Sequence, residues 1–514
     1  MNFTPVARPY FSYIDKRMRC ASADAEKSQK RLLADLLSHS RTTEIGRKAG
    51  FDTIKSYRDF TERLPIVTYE DIRHDVMRMV NGERDILAPG RVDRYAQSSG
   101  TSDGKSKYIP LTQRSLKRCH YQGGADVVAR YLANYPDSRL FAGKGFILGG
   151  SYANELDLRP GVMVGDLSAS LIDRITPMAR RFRVPSKDIA LMERWDEKLP
   201  RLVEATLRAD VTNLSGVPSW FMTVVRRVMD AANATELHDV WPNLEVFFHG
   251  GISFAPYREQ YDRLIDPAKM RYMETYNASE GFFALQASPA DTAMTLLLDT
   301  DVFYEFVPLD GLDTERRAAL PIWEVETGRS YALVITSSNG LWRYMIGDVV
   351  KIESVDPVKI TIAGRTKSFI NAFGEELMVH NADAALARAC AATGAQVADY
   401  TAGPVYADGR HRGCHQWLVE FISEPADIEE FADLLDGYLQ DENSDYQAKR
   451  SGGIFLDRLR LRSLPRGTFD RYLASTGKLG GQRKVPRLKN DRSVVEAIER
   501  LTASDGDSRS INKK

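Results

Sequence analysis

The residues best suited to chemistry begin at Ser98-Ser99-Gly100-Thr101-Ser102-Asp103-Gly104-Lys105-Ser106, where glycines, hydroxyls and a lysine share one loop. Successive backbone N–H groups and hydroxyl donors in such a loop form a nest for an anion, with phosphate the natural guest. The segment departs from the pattern G-x-x-x-x-G-K-[ST] because Ser99 stands at its first position, while Gly104, Lys105 and Ser106 fit. The next residues, Lys107 to Leu111, read as extended, and a helix is expected only after Thr112, a suitable N-cap. An exposed Ser/Gly turn holding nothing is the alternative.

Three further clusters carry functional groups. Tyr276-Asn277-Ala278-Ser279-Glu280-Gly281 follows a strand pattern, so a ring, a hydroxyl and a carboxylate arrive together at a strand's C-terminal end, where ligands of α/β sheets bind. A glutamate there suits Mg²⁺ as a hard oxygen donor and a tyrosine can stack on a base; a solvated turn glutamate is the plainer reading. Arg343-Tyr344-Met345-Ile346-Gly347-Asp348 ends in a carboxylate able to accept from two adjacent ribose hydroxyls, or in an ordinary Gly-Asp turn. Gly364-Arg365-Thr366-Lys367 is a basic cluster at a candidate hinge, or a plain linker.

Other patterns point away from common chemistries. His411-x-x-Cys414-His415 offers zinc-type ligands, but no second pair follows at the usual spacing, and a turn entering a strand is the preferred reading. The glycines of 143–150 miss a dinucleotide fingerprint because Leu148 stands where the last glycine is needed. No Gly-x-Ser-x-Gly elbow is present.

The elements that must position these groups follow from periodicity. Leu32, Leu33, Leu36 and Leu37 recur at helical spacing within 21–40, and a second helix is expected after Leu64-Pro65 up to Val80. Strands are expected at 146–148, 211–214, 244–248 and 272–276, with helices at 219–232 and 256–265 between them, which implies an α/β layered core. From Thr295 to Ile362 strands joined by turns predict a β-rich, barrel-like subdomain. Beyond Gly364 a smaller α+β unit is expected, with helices at 381–393 and 426–440 and strands near Val397, at 417–422 and at 455–462. The polar stretch from Thr502 to Lys514 reads as frayed.

The chain has 514 residues, enough for two to four packed units, and 70 basic side chains balance 70 acidic ones. No global positive field exists to hold nucleic acid or an anionic membrane. The charged residues at the N-terminus (Arg8, Asp15, Lys16, Arg17, Arg19) exclude a secretory signal, and no apolar run is long enough to span a bilayer. Four cysteines, Cys20, Cys119, Cys390 and Cys414, lack paired spacing, so a reducing, cytoplasmic setting is expected.

In order along the chain, the four clusters match the nucleotide signature of adenylate-forming enzymes. More closely, the chain resembles the auxin-responsive Gretchen Hagen family of acyl acid amido synthetases. Its ending resembles theirs at Gly467-Thr468-Phe469-Asp470, Tyr472, Gly477, Gln482 and Lys484-Val485-Pro486-Arg487, preceded by Asn443-Ser444-x-Tyr446. Gly216-Val217-Pro218-Ser219-Trp220, His249-Gly250-Gly251 and Asn277 to Phe283 look like bacterial rather than plant members. The resemblance implies an ATP- and Mg²⁺-dependent ligase that adenylates a small carboxylic acid and passes the acyl group to an amine, an amino acid by preference. It also implies a large N-terminal α/β domain over 1–364, a small mobile lid over 365–500 and a tail over 501–514. An acyl-CoA ligase of the same superfamily, or a nucleotide-binding regulator without turnover, are the rival readings.

Carried over by residue, Ser98, Ser99, Gly100, Thr101, Ser102 and Gly104 would hold the ATP phosphates, with Ser279 near the α-phosphate. Tyr276 would lie by adenine, Asp348 on ribose and Glu280 on Mg²⁺, and Arg365 would sit at the hinge. Plant members carry an Asp-Thr-Asp-Lys run where Phe373-Gly374-Glu375-Glu376 stands here, and Lys367 and Lys484 are the candidates to substitute for its lysine. Trp220, Phe248 and Phe254, with Gly250 and Gly251, are the candidates for the acyl pocket; core packing is the alternative for the aromatic ones.

Overall fold

A computed structural model describes residues 2–98, 107–154, 156, 158–251, 254–308, 318–366, 369–375, 377–407, 412–451, 456–475 and 485–511. Ser99 to Ser106, Lys367, Glu376, His411 and Lys484 therefore lie outside the described residues. The chain divides into two compact units. The first is built from Met1–Ser98, Ser106–Phe254 and Tyr261–Thr366, and the second from Lys367–Lys514 with Ser99–Lys105 and Ala255–Gln260.

Fifteen strands of the first unit are described: β1 (Arg94–Ser98), β2 (Lys107–Pro110), β3 (Lys144–Ile147), β4 (Met163–Gly165), β5 (Arg183–Val184), β6 (Val211–Gly216), β7 (Val246–Gly250), β8 (Arg271–Ala278), β9 (Gly281–Gln286), β10 (Met294–Leu296), β11 (Val302–Pro308), β12 (Leu320–Pro321), β13 (Ser330–Ser337), β14 (Tyr344–Val355) and β15 (Val358–Arg365). Twelve form one sheet in the order β12-β11-β13-β14-β15-β10-β9-β8-β7-β6-β3-β5. The end from β5 to β8 is parallel, and from β8 onward the sheet continues antiparallel through β9, β10, β15 and β14. The β-rich stretch expected from Thr295 is thus the continuation of the α/β sheet. β1 pairs with β2 and β4 in a separate three-stranded sheet.

Local sequence explains the elements around the site. β7 is buried at every position, as a strand covered on both faces requires. The helix Pro218–Ala232 opens with proline at its first turn and closes at Asn233 in the left-handed region, φ 51°. Thr112 accepts from the Ser115 N–H, so the helical run after β2 begins where an N-cap was expected. β2 supplies the extended lead-in that distinguishes this loop from one opening directly into a helix. Unforeseen from periodicity, Thr4–Ser22 forms a helix with Ile14 and Met18 buried.

Arg343, the first residue of the Arg343–Asp348 cluster, serves the fold. It stands at φ 48°, and its guanidinium is buried against Glu305, with Nε 3.0 Å from Oε1 and Nη1 2.6 Å from the Leu64 carbonyl. Tyr57 donates to the same carboxylate at 2.9 Å. Removing one partner of a buried pair leaves an uncompensated charge, so Arg343→Met is expected to cost about 3–5 kcal/mol in urea unfolding. A loss below about 1 kcal/mol, the range of exposed pairs, would contradict this.

In the second unit, Gln396–Val405 and Cys414–Ser423 pair antiparallel, and Arg460–Leu464 adds in parallel. Helices Val379–Thr393 and Ile428–Glu442 pack with them around Trp417, Leu435 and Tyr446. The last helix runs Ser493–Ile511, past Thr502, where fraying was expected. No helix among the described residues is long and apolar enough to cross a membrane.

Candidate functional site

The parallel strands deliver their C-terminal ends to one edge: Gly216 pairs with His249 and Gly250 with Thr275 through β6, β7 and β8, and β8 runs on to Asn277-Ala278. Backbone approach at this edge is close. A Cβ on Gly250 would lie 2.3 Å from the Thr275 carbonyl oxygen, and Gly251 holds φ +84°, so both positions require glycine. Such an edge in an α/β sheet is where ligands are taken.

Tyr276 and Asp348 come together here although they are 72 residues apart. The Tyr276 hydroxyl donates to Asp348 Oδ2 at 2.6 Å, and both side chains are buried. Asp348 is reached because Gly347 takes φ +101° just before it, and its backbone partner across the ladder is Arg365. The ring of Tyr276 packs on Phe283, with centroids 4.9 Å apart.

Ser279 and Glu280 form the turn between β8 and β9, and Glu280 is buried at 6% exposure. Its carbonyl accepts from Asn339 Nδ2 at 3.3 Å, and Asn339 is held in turn by Ser337 Oγ. The far side of the turn is clamped by the helical run after Thr112. Residues Leu116–Tyr121 are wound as a π-helix, a form that concentrates at functional sites, and Cys119 Sγ accepts the Phe282 N–H at 3.1 Å. Burial among these groups pushes the Cys119 thiol up to about 12, so it stays protonated and structural. The same run caps at Thr112, whose hydroxyl reaches the Ser338 carbonyl at 3.4 Å.

Gly123 completes the clamp. A Cβ there would meet Phe282 Cγ at 2.4 Å, whereas one on Gly124 would meet nothing within 4 Å. Gly123→Ala is therefore expected to destabilise by about 1–3 kcal/mol through overpacking, while Gly124→Ala is neutral or stabilising by up to about 1 kcal/mol. Equal unfolding midpoints for the two variants would contradict the clamp. Asn339 and Cys119 were not legible as site residues; the Ser337-Ser338-Asn339-Gly340 turn was the available hint for the first.

The remaining candidates separate into those brought to the site and those not. Ser98 ends β1 opposite Lys107, so the two strands deliver both ends of the candidate phosphate loop. Phe248 and Phe254 do not share a pocket. Phe248 packs edge-on against Tyr131 at 5.4 Å, whereas Phe254 stacks on His249 at 4.1 Å and lies against Phe247. Phe247 and Phe248 are consecutive in a strand and point to opposite faces, so the two rings belong to packing on opposite sides of the sheet. Trp220 is half-buried in the first turn of its helix.

Glu375, in the Phe373-Gly374-Glu375-Glu376 run, is buried within the second unit. Its Oε2 accepts the Phe373 N–H at 2.7 Å and its Oε1 lies 2.8 Å from His415 Nε2. Both carboxylate oxygens are thereby engaged within the unit, one by a backbone N–H and the other by the His415 ring. His415 is committed to the same bond, and Cys414 opens a strand as a turn entering a strand predicts.

No group of three or more His, Cys, Asp or Glu side chains arranged for a metal occurs among the described residues. A buried turn carboxylate such as Glu280 fits Mg²⁺, which is bound by one or two carboxylates together with substrate phosphates. Asp348 beside an aromatic ring likewise fits a nucleoside.

Comparison with known proteins agrees on one family. The description GH3 family N-terminal domain matches residues 15–270, the central domain 295–365 and the C-terminal domain 380–493. The chain is 24% identical to a probable indole-3-acetic acid-amido synthetase GH3.1 of Arabidopsis thaliana, over 94% of this chain and 92% of that one. It is 22% identical to the indole-3-acetic acid-amido synthetase GH3.3 of the same plant, over 93% and 91%. Among solved structures it is similar to AtGH3.15 acyl acid amido synthetase in complex with 2,4-DB, with TM-score 0.61, 19% identity and coverage of 96% of both chains. It is similar also to 2-hydroxyisobutyryl-CoA ligase in the thioesterification state, with TM-score 0.56, 15% identity and coverage of 94% and 93%.

Proposed function

The chain belongs to the GH3 family, and from that premise we propose that it is an ATP-dependent acyl acid amido synthetase: it adenylates a small carboxylic acid and transfers the acyl group to an amine, an amino acid by preference. The observation that carries the nucleotide reading is the Tyr276–Asp348 hydrogen bond, which joins two separated motifs beside the Glu280 turn.

A carboxylate is a poor electrophile because its charge repels nucleophiles and oxide does not leave. In the first step a carboxylate oxygen attacks the α-phosphorus of ATP and pyrophosphate departs, leaving an acyl-adenylate. In the second an amine attacks the acyl carbon, AMP departs with the bridging oxygen, and the amine gives up a proton. Asp348 accepts from the ribose hydroxyls and Tyr276 sets the nucleoside's plane. The loop from Ser98 to Gly104 supplies donors to the phosphates and Ser279 reaches the α-phosphate. Glu280 would hold Mg²⁺, which would neutralise the transferring charge when bound. The Asn339 and Cys119 contacts hold the Glu280 turn in place without touching the reactants.

We assign the acyl group to the edge formed by Gly250, Gly251 and Trp220, with Phe248 and Phe254 left to the cores of opposite faces. Arg365, Lys367 and Lys484 are the candidates for the change between half-reactions and for the cation on the phosphates. The phosphate loop, a few cations and one Mg²⁺ carry the charge work in a chain with no net charge.

The test is pyrophosphate release across an acid panel (indole, benzoate, jasmonate-like and fatty), each with the twenty amino acids and separately with coenzyme A, products identified by mass spectrometry. Amides with amino acids are expected. Thioesters alone would make the chain an acyl-CoA ligase, and no pyrophosphate with any acid would make it a non-catalytic nucleotide binder.

A further inference from the structure

A second cavity lies at the opposite end of the β1–β2 hairpin from the candidate phosphate loop. It has a volume of about 570 Å³ and is walled by 89–94, 111–114, 116–118, His39 and Arg174. The hairpin's strands separate it from the loop by about 13 Å, at 3.3 Å per residue from Arg94 to Ser98. Its lining is strongly basic: Arg91, Arg94, Arg114, Lys117, Arg118 and Arg174 all contribute.

The counter-charges are too few to neutralise this wall. Arg94 pairs with Asp173 at 2.6 Å, Arg114 with Asp301 at 2.6 Å and with Asp35 at 2.7 Å, and Arg118 with Asp35 at 3.0 Å. Asp93 is 3.8 Å from Arg91 but is shared with Arg159, and Asp173 is shared with Lys187. Lys117 and Arg174, both exposed on the cavity, form no ion pair among the described residues. Asp173 and the buried Asp301 thus fix Arg94 and Arg114 as a floor, while Lys117 and Arg174 present charge above it that no ion pair among the described residues compensates. Anchored guanidinium forks and exposed cationic heads around a concavity suit a compact anion with several charges. A cavity of this size takes a small molecule.

We propose that this cleft is a binding site for a polyphosphate group, apart from the adenylating site. Free inorganic polyphosphate and the phosphate tail of a nucleotide share this chemistry.

The experiment titrates the full chain calorimetrically with inorganic tripolyphosphate. The proteins compared are wild type, Lys117→Glu/Arg174→Glu and Glu280→Ala/Asp348→Ala, with urea midpoints confirming that each is folded. A class of sites is expected that survives in Glu280→Ala/Asp348→Ala and weakens about tenfold or more in Lys117→Glu/Arg174→Glu and with added salt. Repeating the titration with saturating α,β-methylene-ATP separates the sources: competition for that class identifies a nucleotide tail as the guest, and its persistence identifies free polyphosphate. No saturable binding to wild type, or equal binding by Lys117→Glu/Arg174→Glu, overturns the proposal. The Glu280→Ala/Asp348→Ala arm keeps this outcome distinct from failure of the adenylating reading.

Discussion

Glu280→Ala is expected to abolish acid-dependent exchange of pyrophosphate into ATP in a protein whose unfolding midpoint is close to wild type. Glu280 is the buried carboxylate of the β8–β9 turn. Its backbone is fixed on one side by Asn339 and on the other, through Phe282, by Cys119. A preorganised group facing developing charge in a partly dry site contributes more than it would in water, and losing one such group typically costs about 10²–10³-fold in rate. Loss of the Mg²⁺ ligand is expected to reach at least that. Glu280→Gln separates charge from shape, since it keeps the volume and a carbonyl oxygen, and it should lose exchange almost as fully. Near-normal exchange in both variants would remove Glu280 from the metal role. Restoration of activity in the glutamine variant alone would reduce it to a structural acceptor.

The second large effect is expected at Asp348. Asp348→Ala removes the acceptor for ribose and the partner of the Tyr276 hydroxyl. Hydrogen bonds to a charged group are worth about 1.5–3 kcal/mol, so the KM for ATP should rise about ten- to a hundredfold while the KM for the acid changes little. Tyr276→Phe removes only the donor to Asp348 and leaves the ring packed on Phe283. If Asp348 acts on the nucleotide, the phenylalanine variant loses severalfold less than the alanine variant. Equal losses in the two would mean that Asp348 serves chiefly to hold the tyrosine.

What the sequence made legible follows from which interactions are local. The N-cap at Thr112 and the proline-opened helix at Pro218 are written in short-range pattern and stand where it placed them, while the strands expected at 244–248 and 272–276 form as Val246–Gly250 and Arg271–Ala278, each ending two residues later. The site's long-range part was not written that way. Nothing in the spacing tells that the Tyr276 hydroxyl meets Asp348 or that Cys119 backs the Glu280 turn, because these contacts are set by how the sheet continues from β8 into the antiparallel strands. Phe248 and Phe254 illustrate the converse: both are aromatic and close in sequence to a glycine-rich strand end, yet strand alternation and the chain's turn send them to opposite faces. Glu375 could be placed by position but not by role, since its bond to His415 joins residues 40 apart.

The central claim, that a carboxylate attacks the α-phosphorus and the acyl group then passes to an amine, is tested most directly by following oxygen. An acid productive in the panel is labelled with oxygen-18 at both carboxylate positions and turned over with ATP and the amino acid acceptor. One labelled oxygen is expected in the phosphate of AMP and the other in the amide carbonyl, with none in pyrophosphate. Label in inorganic phosphate together with formation of ADP, or AMP free of label, would contradict adenylation of the acid.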